Sequence, residues 1–172
     1  MRLPSAPAHQ ANDGTFGMTD GTERRLRRAA RIILLDEADR VLLFRYTAPE
    51  YEPFWILPGG ACGDGEDFPD AARRELMEET GIDAHPRPLG IVKQADYIYD
   101  GEPVRSVEHF FWCLTQATSI DTSGHTELEQ RVMLRHRWFS DGEFRNWPET
   151  IYPLDLRELL KDAIQSACEM PK

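Results

Sequence analysis

The sequence predicts an α/β domain in which helices pack on a mixed β-sheet, and three observations predict it. Apolar runs of strand length interleave irregularly with stretches of helical character along the chain. The length, 172 residues, suits one compact domain. Hydrophobic residues make up 41% of the chain and aromatic residues 10%, enough to bury a core.

Residues 1–22 are rich in Pro, Ala, Gly, Ser, Thr, Asn and Asp and show no apolar period, which reads as a flexible N-terminal tail ahead of a domain at 23–172. Met18, near the end of this tail, is a candidate alternative translation start. Arg24-Arg25-Leu26-Arg27-Arg28 reads as a solvated edge leading into the first strand. Strands are expected at Ala29–Leu35 and Arg40–Tyr46, joined by a turn at Asp36-Glu37-Ala38-Asp39. A short extended run, Phe54–Pro58, ends at Gly59-Gly60, where the backbone can turn sharply. A helix is expected at Phe68–Thr80, with Asp67 as N-cap, Pro69 in the first turn and Gly81 at the stop. Two strands follow at Leu89–Tyr99 and Val104–Leu114 around Asp100-Gly101, a hairpin turn signal. Gln116 to about Glu129 reads as loop with room for a helical turn, Arg135–Phe139 as a last strand, and Asp141–Asn146 and Leu154–Cys168 as helices.

Lys and Arg total 20 against 30 Asp and Glu, a formal net charge of −10. That balance argues against an extended nucleic-acid partner, which needs a positive footprint. It leaves room for carboxylates that hold a cation which in turn holds a phosphate. No run of about 18 apolar residues is present, so no membrane span is expected. The N-terminus lacks the apolar core of a signal peptide. Cys62, Cys113 and Cys168 have no metal-like spacing and read as free thiols of a cytoplasmic protein.

Between Gly60 and Ile82 the acids are arranged against helix stability. On a helix, Glu75, Glu78 and Glu79 share one face. The pairs Glu75–Glu78 and Glu75–Glu79 each cost about 0.2–0.5 kcal/mol as like charges. Glu78 and Glu79 also sit in the last turn, where the helix dipole disfavours each anion by about 0.3–1 kcal/mol. A divalent cation would convert this repulsion into coordination, and hard oxygen ligands point to Mg²⁺ or Mn²⁺. An exposed acidic face on a surface helix is the alternative reading. The adjacent glycines and the distant Glu66 weigh against it, because a Gly-Gly turn brings backbone close to the carboxylate face.

These residues resemble the Nudix box, Gly-x5-Glu-x7-Arg-Glu-U-x-Glu-Glu-x-Gly-U, where U is aliphatic. Gly60, Glu66, Arg74, Glu75, Leu76, Glu78, Glu79, Gly81 and Ile82 match every fixed position. The strands before and after the box resemble the Nudix fold, an α/β/α sandwich with a central mixed β-sheet. The resemblance implies a metal-dependent hydrolase that cleaves the pyrophosphate linkage of a nucleoside diphosphate joined to another moiety: a nucleoside triphosphate, dinucleoside polyphosphate or nucleotide sugar. It implies metal ligation by Glu75, Glu78, Glu79 and the carbonyl of Gly59, with Glu75 or Glu79 orienting or deprotonating the attacking water. Arg74 would orient a glutamate, and Glu66 would brace the loop or reach the metals through water. Some members recruit a further acid from outside the box; Glu127 and Glu129 are candidates here, with Glu108 as a third.

For the substrate, Arg45 and Lys93 are candidate phosphate contacts. Trp55, Tyr97 and Tyr99, with Phe54, Phe111 and Trp112, are candidate stacking residues, core packing being the competing reading. The expected partner is a small nucleotide derivative, and a homodimer is left open. Two other readings stand beside the hydrolase: a non-catalytic nucleotide-sensing module, and an isoprenyl diphosphate isomerase, for which no convincing cysteine motif is present.

Overall fold

The computed structural model describes residues 23–49, 52–99, 102–117, 119–133 and 135–169. The tail at 1–22, with Met18, and the Asp100-Gly101 turn lie outside the described residues. In chain order the elements are β1 (Arg25–Leu35), β2 (Val41–Tyr46), β3 (Phe54–Ile56), α1 (Phe68–Thr80), β4 (Arg87–Tyr99), β5 (Glu102–Leu114), α2 (Glu127–Val132), β6 (Arg135–Phe139), β7 (Thr150–Tyr152) and α3 (Leu156–Cys168).

Strand alternation sorts the core into two halves. Ala30, Ile32 and Leu34 of β1 face Ala71, Ala72 and Leu76 of α1. Ile33 and Leu35 face the opposite way, onto Leu156, Leu159, Leu160 and Ala163 of α3. The result is an α/β/α sandwich. Its seven strands run in the order β4-β5-β1-β2-β3-β7, with β6 added to β2. β1 lies parallel to β5, and β3 parallel to β7; the remaining pairs are antiparallel, so the sheet is mixed.

One irregularity in this sheet positions the site. β1 meets β2 at Leu35 and Val41. Farther back along β1 the Pro58–Cys62 segment takes the neighbouring place. Ile32 N–H donates to the Pro58 carbonyl at 2.9 Å, Ala30 N–H to the Gly60 carbonyl at 3.0 Å, and Cys62 N–H to the Arg28 carbonyl at 2.9 Å. Helix α1 starts as expected: the Asp67 carboxylate accepts from Asp70 N–H at 2.9 Å. It stops at Gly81, whose φ of 71° is left-handed.

Two expectations are corrected, one is sharpened, and one strand was not anticipated. Arg25–Arg28 do not merely lead into the first strand but form the first part of β1, in parallel register with Val104–Val107, with Arg25 and Leu26 exposed and Arg27 and Arg28 half-buried. Their long stems lie along the sheet while the head groups find partners: Arg28 sits 4.4 Å over the Phe68 ring and donates to the Glu66 carbonyl at 3.0 Å. The helical turn allowed for at the end of the Gln116–Glu129 loop is α2, which starts at Glu127 because Thr126 and Glu129 form a reciprocal capping box. The expected helix at Asp141–Asn146 is only a 3-10 turn at Phe144–Asn146. β7 was not anticipated; three residues carry no period, and its pairing with β3 is long-range.

Leu76 is fully buried where α1 meets β1. Leu76→Ala is expected to cost about 2–5 kcal/mol, read as a lowered midpoint in denaturant unfolding.

Candidate active site

The site is built where α1 meets the Pro58–Cys62 segment. Glu75 and Glu79, one turn apart, are both buried, and Glu79 is only 2% exposed. Glu129 arrives from α2, and ligand oxygens of Glu75, Glu79 and Glu129 lie within 4.8 Å of one another. Glycine makes this approach feasible: a Cβ on Gly60 would stand 2.5 Å from Glu75 Oε1. The neighbouring Gly59 N–H donates to Glu79 Oε2 at 2.8 Å.

Burial is the main reason the Glu79 carboxyl is pushed well above the usual carboxylate range, and the Glu75 charge adds to it. Burial likewise raises Glu75, against the opposing pull of Arg74. Three acids at this distance, two of them stripped of water, are an unfavourable arrangement without a counter-charge. Their all-oxygen donor set fits a hard divalent cation.

Arg74 knits the surroundings together. Its Nε and Nη2 donate to both oxygens of Glu66, at 2.8 and 2.9 Å, and Nη2 also to the Ala61 carbonyl at 3.1 Å. Its Nη1 donates to Glu75 at 2.7 Å and Glu78 at 2.9 Å. The Glu66 hydrogen bonds, followed by Glu75, hold the guanidinium firmly in its charged form. Glu66 itself accepts from Gly63 N–H at 2.6 Å, so it ties the loop to the helix through Arg74.

Glu129 is delivered by a segment that closes the open end of α1. Asp121 N–H donates to the Thr80 carbonyl at 3.0 Å, and His125 Nε2 donates to the Glu79 carbonyl at 3.1 Å. Gly124 packs so close that a Cβ would lie 2.3 Å from the Glu78 carbonyl oxygen. The capping box then fixes Glu129, which accepts from Thr126 N–H at 2.8 Å.

The structure separates the remaining candidates. Glu78 is exposed and paired with Arg74, outside the three-acid group. Glu127, at the start of α2, is exposed and also outside it. Glu108 is on the other side of Gly59, paired with Arg31 at 3.2 Å. The Gly59 carbonyl accepts from Arg31 Nη1 at 3.1 Å. Arg45 is not a free cation for phosphate: it grips Glu149 through Nε and Nη2, at 2.9 and 2.6 Å. Trp55 donates to the same carboxylate at 2.7 Å and is otherwise core, packed against Phe139 and Trp147. Phe54, Phe111 and Trp112 are core as well. Tyr97 is half-buried on β4, and the side chain of Tyr99 lies outside the described residues. Lys93 pairs with Asp155. Arg31 and His125 were missed from sequence. Neither carries a local signal, whereas Glu129, a sequence candidate, sits in a Thr-x-x-Glu capping box.

A sequence model described as the NUDIX domain matches residues 25–161. The chain belongs to the Nudix family. An RNA pyrophosphohydrolase of Dinoroseobacter shibae is 42% identical over 59 residues, 33% of this chain and 34% of that protein. An uncharacterized Nudix hydrolase of Streptomyces coelicolor is 35% identical over 96 residues, 52% of this chain and 51% of that protein. The chain thus spans about a third to a half of the length of these curated relatives. The E. coli dihydroneopterin triphosphate pyrophosphohydrolase structure superposes with a TM-score of 0.62 at 16% identity, covering 83% of this chain and 99% of that one, a likeness of fold. Among the described residues no helix is long and apolar enough to cross a membrane.

The raised Glu75 and Glu79 carboxyls set a sign for pH dependence. Above the ordinary value of 4.5 the native state holds more protons here than the unfolded chain, so this group contributes less stability as pH rises. In chelator, Glu79→Gln is expected to gain stability relative to the wild type as pH climbs above 4.5. Thermal unfolding of both proteins across pH checks this, and a pH-independent difference would contradict it.

Proposed function

We propose that the chain is a divalent-metal-dependent hydrolase that cleaves the pyrophosphate linkage of a small nucleotide derivative. The observation that carries this reading is the convergence of Glu75, Glu79 and Glu129 against the backbone of Gly59 and Gly60. Family membership supports the chemistry, and relatives named as pyrophosphohydrolases support the bond. Glu75, Glu79 and Glu129 would hold Mg²⁺ or Mn²⁺, with Glu78 and the Gly59 carbonyl as the further ligands that the family pattern implies. When bound, the metal neutralises phosphate charge and acidifies water.

The chain's own residues supply position. Arg74 orients Glu75 by a charge-assisted hydrogen bond. Glu66 keeps Arg74 and the glycine segment in register with the helix. Gly59 N–H holds one Glu79 oxygen, leaving the other to face a ligand or to take a proton from water. The acidic surface argues for a small substrate over an extended nucleic acid. We place the protein in the cytoplasm on its free cysteines.

The test is a screen with Mg²⁺ or Mn²⁺ of nucleoside triphosphates, dinucleoside polyphosphates, nucleotide sugars and a 5′-triphosphorylated RNA oligonucleotide, with products identified by phosphate speciation. Cleavage within the pyrophosphate of a small compound is expected; nucleotide binding without cleavage would overturn the reading. Glu75→Gln is expected to lower kcat by at least about 10²-fold. Gly60→Ala should behave similarly, because the added methyl displaces the Glu75 carboxylate, while circular dichroism stays native.

A further inference from the structure

On the sheet face covered by α3, beyond Gly59 from the three acids, lies a cavity of about 270 Å³. Arg31 and Glu108 line it together with Ile56, Leu57, Ala95 and Tyr152. It is coupled to the acids through one residue: Gly59 N–H donates to Glu79 at 2.8 Å, and the Gly59 carbonyl accepts from Arg31 Nη1 at 3.1 Å. A compound whose phosphates sit at the acids would therefore place its next moiety here.

The polar groups of the cavity are specific. Arg31 is 3% exposed; its Nη1 and Nη2 are used by Gly59 and Glu108, and its buried Nε has no partner among the described residues. A buried donor without an acceptor is costly, so this atom is primed for a ligand oxygen. Beside it stands the Glu108 carboxylate, which burial alone would raise but which the charges of Arg31 and Arg27 hold below the usual range. An ionised carboxylate only accepts. Lys93 also lines the cavity but is paired with Asp155, as Arg31 is with Glu108, so each cation of the lining already has a carboxylate partner and the cavity is not built for a second anion. Apolar walls and a donor beside an acceptor pair suit the edge of a flat heterocycle.

We infer that this cavity takes the base of the substrate and that the Arg31–Glu108 pair selects guanine. The inference rests on the hydrolase reading above. Guanine alone among the common bases presents a carbonyl oxygen, O6, followed by two N–H donors, N1–H and the 2-amino group. O6 meets the Arg31 donor, and the two N–H groups meet Glu108. Adenine would turn the lone pair of its N1 toward the carboxylate. Uracil and thymine offer one N–H between two carbonyls, and cytosine offers an unprotonated N3; each sets an acceptor against Glu108. A site that buries such polar groups rejects ligands that leave them unpaired.

The experiment has two arms. Calorimetry on the metal-free protein compares GMP, IMP and AMP, and kcat/KM with Mg²⁺ compares GTP, ITP and ATP. GMP should bind about 10–100-fold tighter than AMP, with IMP between them because it lacks the 2-amino donor. Glu108→Gln should move the GMP-to-AMP ratio toward unity. Equal binding of GMP and AMP, IMP as tight as GMP, or no GMP binding at millimolar concentration overturns the inference, whether or not the variant folds. Selective GMP binding without any hydrolysis would sink the hydrolase reading and uphold the base assignment. Hydrolysis of GTP and ATP with equal kcat/KM, and equal binding, would do the reverse.

Discussion

The backbone of Gly59 and Gly60 is wedged between strand β1 and two buried carboxylates, and the whole site depends on that contact. Strand-type hydrogen bonds from Ile32 and Ala30 clamp the flanking carbonyls. From the helix side, Glu75 presses so close to Gly60 that no side chain fits between them. The Gly59 peptide then points two ways, its N–H to Glu79 and its carbonyl to Arg31. Any residue with a Cβ at position 60 would push α1 or Glu75 away, and the acids would no longer converge. The sheet pays for this with a parted β1–β2 pair, whose gap the glycine segment fills.

Charge placement follows from the same constraint. Residues 60–82 hold seven acids and two bases, half of the chain's net charge of −10. In the fold this acidity is divided. Glu66, Glu75 and Glu78 are shared out around Arg74, which neutralises the approach to the helix. Among the described residues Glu79 receives only a backbone N–H as its direct partner, and burial keeps its ionisation difficult. A cation is most strongly called for where water and arginine have both been excluded.

The strands and helices with clear periods were legible in the chain. Helix α1 matches its expected span, because Asp67, Pro69 and Gly81 are local signals read by the backbone itself. β6 also falls at Arg135–Phe139 as expected. β7 was not legible, since three residues acquire strand geometry only by pairing with β3. The strand character of Arg25–Arg28 was missed because these four basic-rich positions look like a lead-in until β5 supplies a parallel neighbour and partners such as Glu108. Trp55 and Arg45 were candidate substrate contacts in the sequence, and the fold brings both to Glu149, about a hundred residues away in the chain.

The amino-acid order alone was sufficient for the α/β class, for the helix that carries Glu75, Glu78 and Glu79, and for the glycines beside it, because spacing along a helix and a turn is a local property. The fold in three dimensions decided which acids meet. It buries Glu75 and Glu79, turns Glu78 outward to Arg74, and chooses Glu129 over Glu127 and Glu108. It also sets Arg31 against Glu108 across two parallel strands. These outcomes depend on contacts between residues far apart in the chain, where burial, not spacing, determines whether a charge must find a partner.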